Sequence, residues 1–218
     1  MTQANRTDAV RDLADAVRVL IHEMVATEAP AEVFAGVADE LRAVADRFSP
    51  YARQHLFEGI REAATADADS LGEDYEGPFD LSPLMGRANP LAPPMRLEVE
   101  GDHVAGTVTF DRGYEGPPGC VHGGMVAAAF DELLGLVQMM GGNPGMTGRL
   151  VVHYRSPTPL ETELTLHGRI DRRDGRKTFC VGQIFDGDRL CAEAEGLFVA
   201  VDPERFAALA AAAEARRA

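Results

Sequence analysis

The chain has no tryptophan and few aromatics of any kind, about 6% of its 218 residues. It has a single lysine, Lys177, among 21 basic residues, and the net charge is -14. That balance argues against non-specific binding to nucleic acid or to an anionic membrane surface. It leaves room for an anionic small ligand if basic residues gather locally. Three cysteines (Cys120, Cys180, Cys191) form no CxxC pair, so a disulfide framework is not expected, and a reducing cytoplasm is the expected setting. No basic-then-apolar signal pattern opens the chain. No long apolar run is free of polar residues either. The longest, 120–140, carries His122, Asp131, Glu132 and Gln138. Two acids mid-span would each cost roughly 2.5–3.5 kcal/mol in a bilayer, so no membrane insertion is expected. The catalogue of short chemical motifs is empty as well. There is no GxSxG elbow, HExxH, Walker A or strand-borne GxGxxG. The six histidines lack metal-ligand spacing, so neither cofactor nor catalytic metal is expected.

What is present has a clear order. Val10, Leu13, Ala14, Val17, Leu20, Ile21 and Met24 fall on one helical stripe, and Phe34, Val37, Ala38, Leu41, Val44, Ala45 and Phe48 on a second. Residues 1–48 thus read as a helical hairpin that packs on the rest or across a dimer and is not needed for chemistry, with a ligand lid as the alternative. Residues 49–94, rich in proline and carrying the acidic "GEDYEG", read as a connector with a short helix near 53–64. From 95 the period switches to two. "MRLEVE" and "HVAGTVTF", joined by Gly-Asp, read as a hairpin with Val104, Val108 and Phe110 on one face. A helix follows at 121–141. Strands are expected near 147–156, 161–172, 177–186 and 189–201, with Asp-Gly turns in "RRDGRK" and "FDGDR". Residues 202–218 read as a C-terminal helix or tail. Strands wrapped round one apolar helix, burying it on every side, make an α+β domain over 95–201.

The chemistry gathers in "PPGCVHGGMVAAAFD" at 117–131. The first N–H groups of a helix have no internal partner and lie at the positive end of its dipole. Gly123 and Gly124 leave those groups open to a carbonyl oxygen or oxyanion. Asp131 follows Gly124 by seven residues, on the same face. A carboxylate there can hold a water or attack a carbonyl resting on the helix end.

These residues resemble the HGG…D signature of hotdog-fold acyl-CoA thioesterases, the phenylacetate-pathway (PaaI-like) and THEM4-like members above all. The resemblance covers about 89–201. It includes "NP" before the first strand, "HYRSPTP" after the helix and "RRDGRK" at the next hairpin. The helices of 1–48 have no counterpart in the minimal pattern. The resemblance implies an antiparallel sheet round one long central helix, and hydrolysis of acyl-CoA, as in fatty acid metabolism. Gly123 would polarise the thioester carbonyl and Gly124 would permit close approach. Asp131 would be nucleophile or general base, and His122 would orient the thioester. Thr147 would position water from the neighbouring subunit of a homodimer, with a dimer of dimers as a further level. One departure stands out: some relatives carry Asn six residues before the histidine, where this chain has Gly116. Arg149, Arg155, Arg172, Arg173, Arg176 and Lys177 are the candidate cations for coenzyme A phosphates. Two alternatives stay open from the residues alone. One is a hydratase acting on acyl thioesters, and the other a non-catalytic acyl-CoA-binding module.

Overall fold

The computed structural model describes residues 3–51, 78–142, 145–202, 208 and 212. The helix expected near 53–64 lies outside the described residues, as does nearly all of the expected C-terminal helix. Two helices come first, α1 (Gln3–Ala26) and α2 (Ala31–Asp46). The hairpin β1 (Arg96–Glu100) and β2 (His103–Thr109) leads to α3 (Gly123–Met140). Four strands complete the order: β3 (Gly145–Tyr154), β4 (Glu163–Asp174), β5 (Lys177–Asp186) and β6 (Arg189–Ala200).

All six strands form one antiparallel sheet in the order β1-β2-β4-β5-β6-β3. The chain leaves β2, runs along α3 and re-enters at the far edge as β3. Val104, Val108 and Phe110 are buried, as their alternation requires. β3 begins two residues earlier than its pattern suggests because Gly145 pairs with Ala200. It ends at Tyr154 because the next two N–H groups, of Arg155 and Ser156, both donate to the Cys191 carbonyl. β4 begins late because Glu161, at φ 51, turns the chain just before it.

Part of the bed of the helix is bare main chain, between sheet side chains such as Leu166, Ile184 and Ala194. Gly168 and Gly182 are paired neighbours on β4 and β5. A Cβ on Gly168 would come within 2.8 Å of Val137, and one on Gly182 within 3.1 Å of Leu133 and Leu134. A side chain at Gly168 would force Val137 to shift, and one at Gly182 would press on the methyls of Leu133 and Leu134. α3 in turn sends Val126, Ala129, Phe130, Leu133, Leu134, Leu136 and Val137 into the core. α3 is long and apolar enough by composition to cross a membrane, but here it is the core helix of the sheet.

The wrap is incomplete. Gly124 and Asp131 are exposed, and Ala127, Ala128 and Gly135 only partly covered. The expectation that the sheet buries α3 on every side is corrected here. One stripe of small residues stays open, and that stripe is where the carboxylate sits without a burial penalty.

The expected face of α1 is met in part. Ala14 is buried and Val10, Val17, Leu20 and Ile21 are half-buried, whereas Leu13 and Met24 are exposed and Arg11 and Arg18 join the buried face. Arg11 Nε donates to both oxygens of Asp80 at 3.2 Å. Arg18 pairs with Asp15 and donates to the carbonyls of Ala92, Arg87 and Asn89 at 2.9, 2.6 and 3.2 Å. Guanidinium forks add to the aliphatic packing because segment 78–95 offers carbonyls and a carboxylate to α1. α2 buries no residue at all.

Candidate active site

The site starts with how α3 begins. His122 is the N-cap, and its Nδ1 accepts the Gly124 N–H at 3.0 Å. Its own N–H donates to the Tyr114 carbonyl at 2.8 Å. The cap leaves the Gly123 N–H without an acceptor among the described residues. Of the two glycine N–H groups, Gly123 thus has the free one and Gly124 the committed one. The glycine at 124 serves the imidazole: a Cβ there would lie 3.1 Å from His122 Nδ1. Gly116 is fixed by the same residue, since a Cβ on it would come 2.7 Å from His122 Cα. The Asn that some relatives place there has no room on this backbone.

Tyr154, which the sequence reading did not single out, closes the other side. Its hydroxyl donates to the Gly123 carbonyl at 2.8 Å, and its ring lies in van der Waals contact with where a Gly123 side chain would be. The "HYRSPTP" match contained it. The signal available was a tyrosine at the end of the strand that returns to the helix start.

Asp131 lies on the open stripe. Thr147 Oγ1 donates to Asp131 Oδ1 at 2.8 Å within the same chain. The expectation that Thr147 serves a site from the opposite chain to Asp131 is therefore corrected. A bulge at Gly148 makes the contact possible: Thr147 pairs with Phe198 and Arg149 with Leu197. Thr147 thereby faces the helix and Arg149 the outer face, although strict alternation would put both on one face. Glu132, next to Asp131, accepts from Ser82 Oγ at 2.6 Å. Burial raises its pKa above 4.5, the Ser82 hydrogen bond pulls it down, and the Asp131 charge pushes it up.

The candidate cations do not form one cluster. Arg173, Arg176 and Lys177 stand at the β4–β5 turn, where Arg173 packs over Gly141 at the end of α3. Arg155 stands at the opposite end of the sheet, paired to Glu193, which lowers the pKa of that carboxyl. Arg172 stacks on Phe179 at 3.7 Å and pairs with Asp171. Arg176 donates to the Ala200 carbonyl. Arg149, Arg173 and Lys177 have no ion-pair partner among the described residues. Among the described residues no group of three His, Cys, Asp or Glu could hold a metal ion.

This fold is found in known proteins. The family model described as the thioesterase superfamily matches residues 118–193. A thioesterase superfamily protein of known crystal structure superposes with a TM-score of 0.73 at 35% identity, over 87% of this chain and 94% of that one. The chain belongs to the thioesterase superfamily, on a hotdog α+β fold. That coverage is too large for residues 49–218 alone to reach, so the likeness extends into the N-terminal helices. Among individual relatives, acyl-coenzyme A thioesterase THEM4 of Bos taurus is 36% identical over 93 residues, 42% of this chain and 38% of that protein. THEM4 of Xenopus laevis is 38% identical over 93 residues, 41% of each. The chain spans about two fifths of the length of these curated relatives.

Proposed function

We propose that the protein is an acyl-CoA thioesterase, releasing a free acid and coenzyme A. The observation that carries this reading is the Asp131–Thr147 pair on an otherwise apolar, small-residue stripe. Beside it stands the uncommitted N–H of Gly123 at the start of the same helix. The acyl-CoA thioesterases among the relatives support the substrate class.

The helix also limits how these groups work together. Gly123 and Asp131 are eight residues apart, about 12 Å along the axis. No carbonyl can rest on one and be attacked from the other. Two copies of the chain with α3 antiparallel remove the difficulty. One gives His122 and Gly123, the other Asp131 and Thr147, and the two-fold axis passes near Ala127. Ala127, Ala128 and Gly124 are small enough to let the helices approach. β3, at the sheet edge, has no pairing partner on its far side among the described residues, as an intersubunit strand contact needs.

In this homodimer the Gly123 N–H polarises the thioester oxygen and the His122 ring lies beside the sulfur. Asp131 takes a proton from a water that Thr147 helps hold, and the water oxygen bonds to the carbonyl carbon. The tetrahedral oxyanion collapses, the C–S bond breaks, and the thiolate of coenzyme A takes up the proton. Direct attack by Asp131 through an anhydride gives the same products. The antiparallel pairing sets the far end of one α3, with Arg173 and Lys177, beyond the start of the other. There they can meet coenzyme A phosphates.

The test is a panel of short, long and aryl acyl-CoAs with free thiol detected by colour. Asp131→Asn should lower turnover at least about a hundredfold while acyl-CoA binding persists. Near-wild-type turnover in the folded variant would overturn the assignment.

A further inference from the structure

α1 lies outside the matched family core, yet its last turns reach the segment that presents His122. His22 Nδ1 accepts the Gly113 N–H at 3.1 Å. Its Nε2 lies 3.3 Å from Asp111 Oδ2. That nitrogen is buried and has no hydrogen-bond partner among the described residues, so Nδ1 makes the ring's hydrogen bond to the turn Asp111–Gly113. The ring also leans on Tyr114, with centroids 5.5 Å apart. Tyr114 is held in place itself: its hydroxyl donates to Leu91 O at 3.0 Å, and its ring meets Phe110 edge-on at 5.7 Å. Burial raises the Tyr114 pKa to about 12, so the phenol stays a donor. The carbonyl of this same Tyr114 accepts the His122 N–H. From α1 to the cap of α3 there are therefore two steps, each a direct contact.

The contact is built in from both sides. A Cβ on Gly113 would come 2.7 Å from His22 Nδ1, so the turn takes the imidazole only because residue 113 has no side chain. His22 is not alone in holding α1: Arg11 and Arg18, both more deeply buried, bind segment 78–95. The hydrogen bond that His22 makes goes to the turn alone.

We propose that His22 is a positioning residue: through the turn at 111–116 it sets the direction in which His122 and the Gly123 N–H meet the substrate. The N-terminal extension then belongs to the working site, contrary to the expectation that it is dispensable for chemistry. The proposal rests on the thioesterase reading above.

Three variants test it, on the full-length protein: His22→Leu, which removes the acceptor; His22→Asn, which keeps one; and Gly113→Ala, which pushes the ring away. Two quantities are read. The first is kcat and KM on the best acyl-CoA of the panel. The second is the exchange rate of the Gly124 amide hydrogen, whose acceptor is His122 Nδ1. His22→Leu should lower kcat about tenfold with KM changed less than about twofold, because misplacement of a reacting group acts on the chemical step. Gly124 exchange should rise in parallel. His22→Asn should recover most of both, and Gly113→Ala should resemble His22→Leu. In a His122→Ala background, His22→Leu should cost clearly less than it does in the wild type, since only the Gly123 N–H is left to misplace. Wild-type kcat and Gly124 exchange in folded His22→Leu would overturn the proposal, and so would losses that add in full to those of His122→Ala. Should His22→Leu not fold, Gly113→Ala and His22→Asn give the same comparison. Should no acyl-CoA be cleaved by the wild type, the activity reading fails, and Gly124 exchange still decides the coupling.

Discussion

Thr147 and Asp131 are hydrogen-bonded partners on one chain, 2.8 Å apart and sixteen residues distant in sequence. They therefore enter any two-chain site as a unit, which sets a pattern for subunit mixing. His122→Ala and Asp131→Ala proteins, unfolded together and refolded, should regain roughly a quarter of wild-type activity. Half the dimers are mixed, and each has one site without a lesion. Asp131→Ala mixed with Thr147→Ala should regain nothing, since both lesions fall on the same half of every site. Recovery in the second mixture would place the two residues in opposite halves.

Gly116→Ala should harm both fold and turnover. The new methyl would meet His122 Cα at 2.7 Å, so the turn must move, at about 1–3 kcal/mol. Chemical denaturation measures the first effect and steady-state kinetics the second. Gly116→Asn should behave no better, because the strain comes from the first carbon of any side chain.

Glu132 predicts a pH effect. Its pKa is raised in the fold, mainly by burial. Its protonated form is the favoured one, so its contribution is complete below pH 4.5. That contribution declines as pH rises past 4.5, where the unfolded chain ionises first, through the higher folded value. Glu132→Gln should flatten this decline in the unfolding midpoint between pH 4.5 and 7. Ser82→Ala, which removes the hydrogen bond that lowers the pKa, should steepen it. Identical pH profiles for wild type and Glu132→Gln would refute the account.

Arg18→Met should loosen α1. It removes the donors for three carbonyls, a loss of about 2–3 kcal/mol. Limited proteolysis should then cut between α1 and the sheet domain at denaturant concentrations that leave the wild type intact. Leu13→Ala, on the exposed face, should change little. The reverse ranking would mean that α1 docks by its aliphatic side.

The sequence made the sheet domain legible because each element there obeys a simple period. Val104, Val108 and Phe110 alternate, α3 is too long for a strand, and Asp-Gly marks the hairpins. The helix start was legible too, since free N–H groups and paired glycines have a direct physical meaning. Three features escaped. The docking face of α1 includes Arg11, Arg18 and His22 beside the stripe, residues that hydrophobic spacing leaves out because their worth depends on partners about 70 or more residues away. The inward turn of Thr147 depends on a bulge, and bulges break the alternation from which a strand's faces are read. The distance from Gly123 to Asp131 was available from the helical rise alone. Sharing a face says nothing of separation along the axis.

The glycines beneath α3 have a consequence for how such a protein can change over time. Where a helix rests on side chains, substitutions can reshape its bed by small steps. Here Gly168 and Gly182 leave no side chain to trim, and any addition meets Val137 or Leu133 at once. At these two positions the bed resists gradual change. Novelty comes more easily on the open stripe, at the two ends of α3 and in what is appended outside the sheet, in this chain α1 and α2.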